Sequence, residues 1–202
     1  MLHTHSEPQV RGQLLLARVQ YLRSHPNEAL LEHVLAQLTP ADAETLRGPI
    51  QPVSWYPLHL QHRVDDAIAS VLSPDDHSDS LIEVGRAYAE AVLRRVQREE
   101  MKLAAPDSFL QLVPHLYGAY HAAAGHREYQ SLGDHAAVIR TIGAGDAIVE
   151  DHCWTVVGCL QRGLELSGAE SALVTETACC AAGAPSCEYR CEWYATASDG
   201  CR

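Results

Sequence analysis

The stretch Glu176-Thr177-Ala178-Cys179-Cys180-Ala181-Ala182-Gly183-Ala184-Pro185-Ser186-Cys187-Glu188-Tyr189-Arg190-Cys191-Glu192-Trp193 decides how this chain is read. From Cys187 onward it alternates. Cys187, Tyr189, Cys191 and Trp193 fall on one face of an extended segment, and Glu188, Arg190 and Glu192 on the other. Period-two alternation of this kind marks a half-buried strand. The preceding ALVTETACC is a second strand candidate, and Gly183-Ala184-Pro185 supplies turn residues between the two. The expectation is a hairpin that brings Cys179 and Cys187 together across its mouth.

Glu176 lies a short step up the first of these strands. Strict alternation would put Glu176 and Cys179 on opposite faces, so a bulge or a strand end must separate them. Upstream, Asp151 opens a helical segment, DHCWTVVGCLQRGLEL, which ends at Gly168. Cys153 sits in its first turn, where the helix dipole favours a thiolate. Cys153, Glu176, Cys179 and Cys187 thus form a candidate set of three thiolates and one carboxylate. A closed four-ligand set is the style of a structural zinc site. Spacing alone leaves two alternatives open: Cys159, Cys180 or Cys191 could replace a member, or the cysteines could simply fill a core.

Further outward, REYQSL and HAAVIRTIG read as two strands around Gly133-Asp134. Residues 107–124 read as a helix disturbed at Pro114. The first hundred residues read as helices: 13–23, the segment after Pro26, a short helix started by Thr39-Pro40-Ala41-Asp42, another from Pro57 to about Leu72, and a long one from Ser80. In the last of these Leu81, Ile82, Val84, Ala87, Tyr88, Ala91, Val92 and Val96 form one apolar stripe. The architecture expected is α+β in a single domain over 1–202. Residues 1–105 are mainly helical, and 106–202 form a small, mostly antiparallel sheet with packed helices.

Composition bounds the function. The chain has 202 residues and a net charge of −11. An acidic surface disfavours nucleic-acid backbones and anionic membranes. No window reaches the roughly 18–20 apolar residues of a membrane span. All seven cysteines lie between Cys153 and Cys201. So lopsided a set suits metal chemistry in a reducing compartment better than a disulfide framework. The expectation is a soluble, cytoplasmic protein.

Cys153-Trp154-Thr155-Val156-Val157-Gly158, then Glu176-Thr177-Ala178-Cys179, then Gly183 and Cys187, resemble the 4-vinyl reductase-like domain family. The resemblance extends to the zinc hairpin in the sensor domains of aromatic-responsive NtrC-type activators. More loosely, the segments YLR, LTPADAETL, WYP and GAPSCEYRCEW make the whole chain similar to a bacterial paralogous family of unknown function. Both resemblances imply a TRAPP-like fold, often dimeric, with structural zinc on Cys153, Glu176, Cys179 and Cys187. They do not carry over a phenol site, because no upstream Trp and His match residue by residue.

Outside the hairpin, His115, Tyr117, Tyr120, His121 and His126 cluster in sequence. With Trp55 and Trp154, the residues His115, Tyr117 and Tyr120 are candidates for the wall of a pocket for a small apolar or aromatic ligand; the plainer reading is an amphipathic helix with polar tips in water. The loop Asp75, Asp76, His77, Asp79 lacks Ca²⁺-loop spacing and reads as solvated. Gly143-Ala144-Gly145-Asp146 lacks the rest of a phosphate loop. No acid/base or nucleophile pattern emerges. The reading preferred is a zinc-stabilised, non-catalytic small-molecule sensor domain, a homodimer on the resemblance. One alternative is a TRAPP-like dimeric adaptor meeting a protein partner through the long helix near Ala87 and Ala91. The other is a tetrapyrrole-pathway accessory or haem-binding protein.

Overall fold

The computed structural model describes residues 7–98, 105–147, 149 and 151–194. Cys201 lies outside the described residues, as do His3 and His5.

The helical half contains α1 (Gly12–Ser24), α2 (Leu30–Gln37), α3 (Pro40–Arg47), α4 (Leu58–Leu72) and α5 (Ser78–Arg98). The start of α3 is capped as its sequence dictates. Thr39 Oγ1 accepts from Asp42 N at 3.2 Å, with Pro40 at the first helical position. Then come α6 (Pro106–Tyr120), which runs through Pro114, and α7 (His152–Leu166). The strands β4 (His126–Gly133), β5 (Ala136–Ile142), β6 (Ser171–Ala178) and β7 (Ser186–Tyr194) make one antiparallel sheet in the order β4-β5-β7-β6. Three short strands form a second sheet that was not anticipated. In it β1 (Gln9–Arg11) lies between β2 (Trp55–Pro57) and β3 (His121–Ala122). Each is two or three residues long, too short for alternation to register.

Two hydrophobic clusters organise the molecule. One gathers α6, α7 and the inner face of the large sheet around Phe109, Leu160, Ile139 and Tyr189. The other gathers α1 to α4 around Leu15, Leu30, Val64 and Ile68. Three helices serve both clusters, α4 through Leu58 in the first and Leu60 in the second. On α1, Leu14 joins the first and Leu15 the second; on α5, Leu93 joins the first and Val84 the second. Against α7, α5 packs backbone to backbone. A Cβ on Gly85 would meet Thr155 O at 2.1 Å, and one on Gly158 would meet Ile82 O at 2.0 Å. Hence α5 does not offer the free face expected around Ala87 and Ala91. Both residues are partly buried, and the helix lies against α7, α1 and α4.

Candidate functional site

The hairpin forms as the alternation requires. Cys187, Tyr189 and Cys191 are fully buried and Trp193 nearly so, while Arg190 is exposed. The register between β6 and β7 shifts between Glu176, opposite Tyr189, and Ala178, opposite Glu188. That irregularity is the device the Glu176–Cys179 spacing demanded, and it lets the carboxylate and the thiol share one side. Beyond β6 the chain turns tightly. Ala182 N and Ala184 N both donate to Cys179 O, and Gly183 takes φ +92, a left-handed conformation suited to glycine.

The donor atoms of Cys153, Glu176, Cys179 and Cys187 all lie within 4.8 Å of one another. Cys153 Sγ is 3.6 Å from Cys179 Sγ and 3.8 Å from Cys187 Sγ. These separations are far beyond a disulfide bond. They match the edge of a tetrahedron whose metal–sulfur distance is about 2.3 Å, roughly 3.7 Å. Glu176 Oε1 is buried and meets no hydrogen-bond donor. A carboxylate oxygen left alone among sulfurs is costly unless a cation completes it. Around the cluster, Tyr189 Oη donates to Cys153 Sγ and Cys180 N donates to Cys187 Sγ, each at 3.2 Å. The bond from Cys153 draws the Cys187 thiol down to about 6, while that bond and burial drive the Cys153 thiol up. The set is thus disposed to hold a thiolate. Cys159 faces elsewhere, and Cys191 Sγ turns to Tyr189 O at 3.8 Å, so neither enters the cluster. Cys180 contributes its backbone N–H, and its thiol is raised to about 11, chiefly by burial.

A second feature lies where α1, α4 and α5 pack against the first hydrophobic cluster. A partly open cavity of about 50 Å³ is walled by α1, α4, α5, α6, α7, His121 of β3 and the start of β4. Of the five pocket candidates, only Tyr117 lines it. Trp55 lies in β2 with the Arg11 guanidinium 3.8 Å over its ring, and His115 is exposed. Tyr120 and Trp154 pack at the margin of the core. His121 escapes the solvent-facing reading of its helix. It lies just past the end of α6, stacks on Tyr117 at 4.1 Å and faces the cavity. Burial, and then the charge of Arg127, hold its imidazole down at about 3. His152 is also held well below its usual range, by burial first.

Several wall residues were not singled out from sequence: Arg18, Gln61, Tyr88, Arg127 and His152. Arg18 carried a signal, a lone charge inside the apolar run LLLARV. It is 3% exposed and donates from Nε and Nη2 to Asp65 at 2.5 and 2.7 Å. The loop before α5 supplies a third grouping. His77 Nδ1 lies 3.0 Å from Asp151 Oδ2, and Asp66 is nearby and exposed. A partly solvated ion pair accounts for it.

No family model matches the chain, and no curated protein matches it. Solved structures do. An H-NOX protein from S. oneidensis in the Fe(II)NO ligation state is similar with a TM-score of 0.69 at 15% identity, over 91% of this chain and 98% of that one. A mutant H-NOX from T. tengcongensis gives 0.66 at 12% identity, over 91% and 97%. Unliganded Fe(II) H-NOX from K. algicida gives 0.62 at 8% identity, over 91% and 96%. The chain therefore has an α+β, H-NOX-like fold. This corrects the family resemblance drawn from the hairpin and from the scattered N-terminal segments. Neither the 4-vinyl reductase-like nor the TRAPP-like assignment is supported, nor is membership of the paralogous family of unknown function. The motif pieces were short and clustered in one hairpin, whereas the likeness to H-NOX covers nearly the whole chain. No helix among the described residues is long and apolar enough to cross a membrane.

Proposed function

We propose that this chain is a non-catalytic, small-ligand-sensing domain. Its ligand enters the cavity between the helical half and the sheet half, and zinc on Cys153, Glu176, Cys179 and Cys187 ties the β6–β7 hairpin to α7. The observation that carries this reading is the cavity's position, in a fold of the H-NOX kind. Its wall draws on α1, α4 and α5 of the helical half and on α6, α7 and β4 of the sheet half, so an occupant with different affinity for two packings of α1 or α5 would shift the relation between the halves. A four-ligand zinc site leaves no open position, so the metal braces the structure rather than performing chemistry.

The fold favours a second reading, haem in the same cavity, since H-NOX denotes heme-nitric oxide/oxygen binding. His121, His152 and Cys159 on the wall are of the chemical kinds that ligate iron. As it stands the cavity is smaller than that group. The cavity holds about 50 Å³, against roughly 300 Å³ at the lower end of small-molecule pockets. The glycine-mediated crossing of α5 and α7 brings two of those walls backbone to backbone.

Two titrations test the proposal. Xenon-129 NMR should show one saturable site, lost when Ala89→Met fills the cavity; no xenon uptake would remove the sensor reading. Haemin should give no one-to-one Soret band. A stoichiometric band abolished by His121→Ala or His152→Ala would install the haem reading in its place.

A further inference from the structure

We infer that the cavity takes a small monocarboxylate, of the size of acetate, with its carboxylate on Arg127 and its apolar end against the aliphatic wall. This rests on the sensor reading above and specifies its ligand.

The first observation is a charge imbalance. Arg18, Arg63, Arg86, Arg140 and Arg162 each hold a carboxylate partner. Arg127 lines the cavity and is partly buried, yet no carboxylate pairs with it among the described residues. Its Nε donates to Thr141 Oγ1 at 3.2 Å, and its guanidinium lies 4.5 Å over the Tyr117 ring. A chain of net charge −11 has acids to spare, yet of the two arginines that line the cavity only Arg18 holds one, Asp65. The planar fork of Arg127 suits a carboxylate or a phosphate, and the carboxylate is the smaller of the two.

The second observation is independent. Gln61, on the α4 side of the same cavity, is 1% exposed, and its Oε1 meets no hydrogen-bond donor. A buried amide left unsatisfied costs free energy that a polar occupant would recover. A carboxylate has no donor for that oxygen, so it is met by the amide turned over, with Nε2–H₂ donating to it.

Size and the remaining wall set the class. A cavity of about 150 Å³ accepts benzene; one of about 50 Å³ suits roughly two to four non-hydrogen atoms. Formate and acetate fall in that range. His121, His152 and Tyr88 face the cavity as neutral donors, and no acid lines it. A small anion is therefore met by Arg127, by neutral donors and by an Arg18 already neutralised by Asp65, and its methyl group by Val113, Leu116 and Leu160.

Acetate and acetamide, which share a shape and differ in charge, make the test. Calorimetric titration of the full chain should show saturable acetate binding with a Kd of about a millimolar. Acetamide should bind at least tenfold more weakly. Arg127→Met should lose at least tenfold in acetate affinity while still taking up xenon, which keeps the fold and cavity in view; Arg127→Lys should retain part of the binding. Acetamide binding as well as acetate, or Arg127→Met binding acetate like the parent, would overturn the inference and leave the cavity reading standing. So would xenon uptake with no acetate binding, or binding of nitrite without acetate. Should Arg127→Met fail to fold, the acetate–acetamide comparison on the parent protein decides alone.

Discussion

Arg18 and Asp65 form a buried bidentate pair, 3% and 4% exposed at their side chains, and Arg18 Nη1 also donates to Leu14 O at 3.0 Å. Desolvating two charges nearly cancels their attraction, so the pair adds little net stability, but breaking it strands a buried charge. Arg18→Ala should therefore cost ~3–5 kcal/mol, read as a lower urea midpoint; the double variant Arg18→Met with Asp65→Leu should cost much less. Equal losses would show that the pair is not isolated in the way described. In the sequence Arg18 was legible only as an interruption of an apolar run, because its partner lies 47 residues away. His62 and His121 act at the same scale. Burial first, then neighbouring cations, hold them down at about 4 and about 3, from a usual 6.5. Both stay neutral in the folded protein and take up protons in the unfolded chain below about pH 6.5. Their contribution is thus complete above that pH and lost as pH falls toward 4 and then 3. The melting temperature should be level above about pH 7 and fall steadily in acid. In His62→Gln the fall should be shallower, and an unchanged slope there would remove His62 from the account.

At the scale of elements, glycine separates two kinds of helix position. A Cβ on Gly158 would come within 2.0 Å of Ile82 O on α5, a backbone atom that cannot step aside. Gly118, in the last turn of α6, faces open space with nothing within 4 Å. Gly158→Ala should destabilise by ~1–3 kcal/mol or more through forced separation of α5 and α7. Gly118→Ala should stabilise by ~0.5–1 kcal/mol through helix propensity. Thermal unfolding of the two variants checks both signs, and a stable Gly158→Ala protein would mean that the crossing is looser than described. The large sheet, the bulge in β6 and most helices were legible in the sequence, since alternation, capping and turn residues are local signals. Pro114 was read as a disturbance, yet α6 continues through it. The small sheet was invisible, because β1, β2 and β3 are held by pairing across long stretches of chain rather than by propensity.

At the scale of the whole molecule, the candidate metal set of four residues brings the start of α7 against the β6–β7 hairpin. Structural zinc contributes folding free energy directly. Purified protein should carry about one zinc per chain, and Cys187→Ser should lose it together with a large drop in melting temperature, measured by elemental mass spectrometry and calorimetry side by side. A metal-free parent protein, purified reduced, would leave the thiols as core packing. The sequence by itself determined the α+β class and the hairpin, because each rests on residue spacing over short segments; it named Cys153, Glu176, Cys179 and Cys187 as candidates with Cys159, Cys180 and Cys191 still open, and the structure brings the donor atoms of the first four within 4.8 Å. Only the tertiary structure decided the H-NOX-like arrangement, the cavity, and the roles open to Arg18, Gln61, His121 and Arg127. Those depend on which distant helices meet, and burial, charge pairing and unsatisfied hydrogen bonds come into being only when they do.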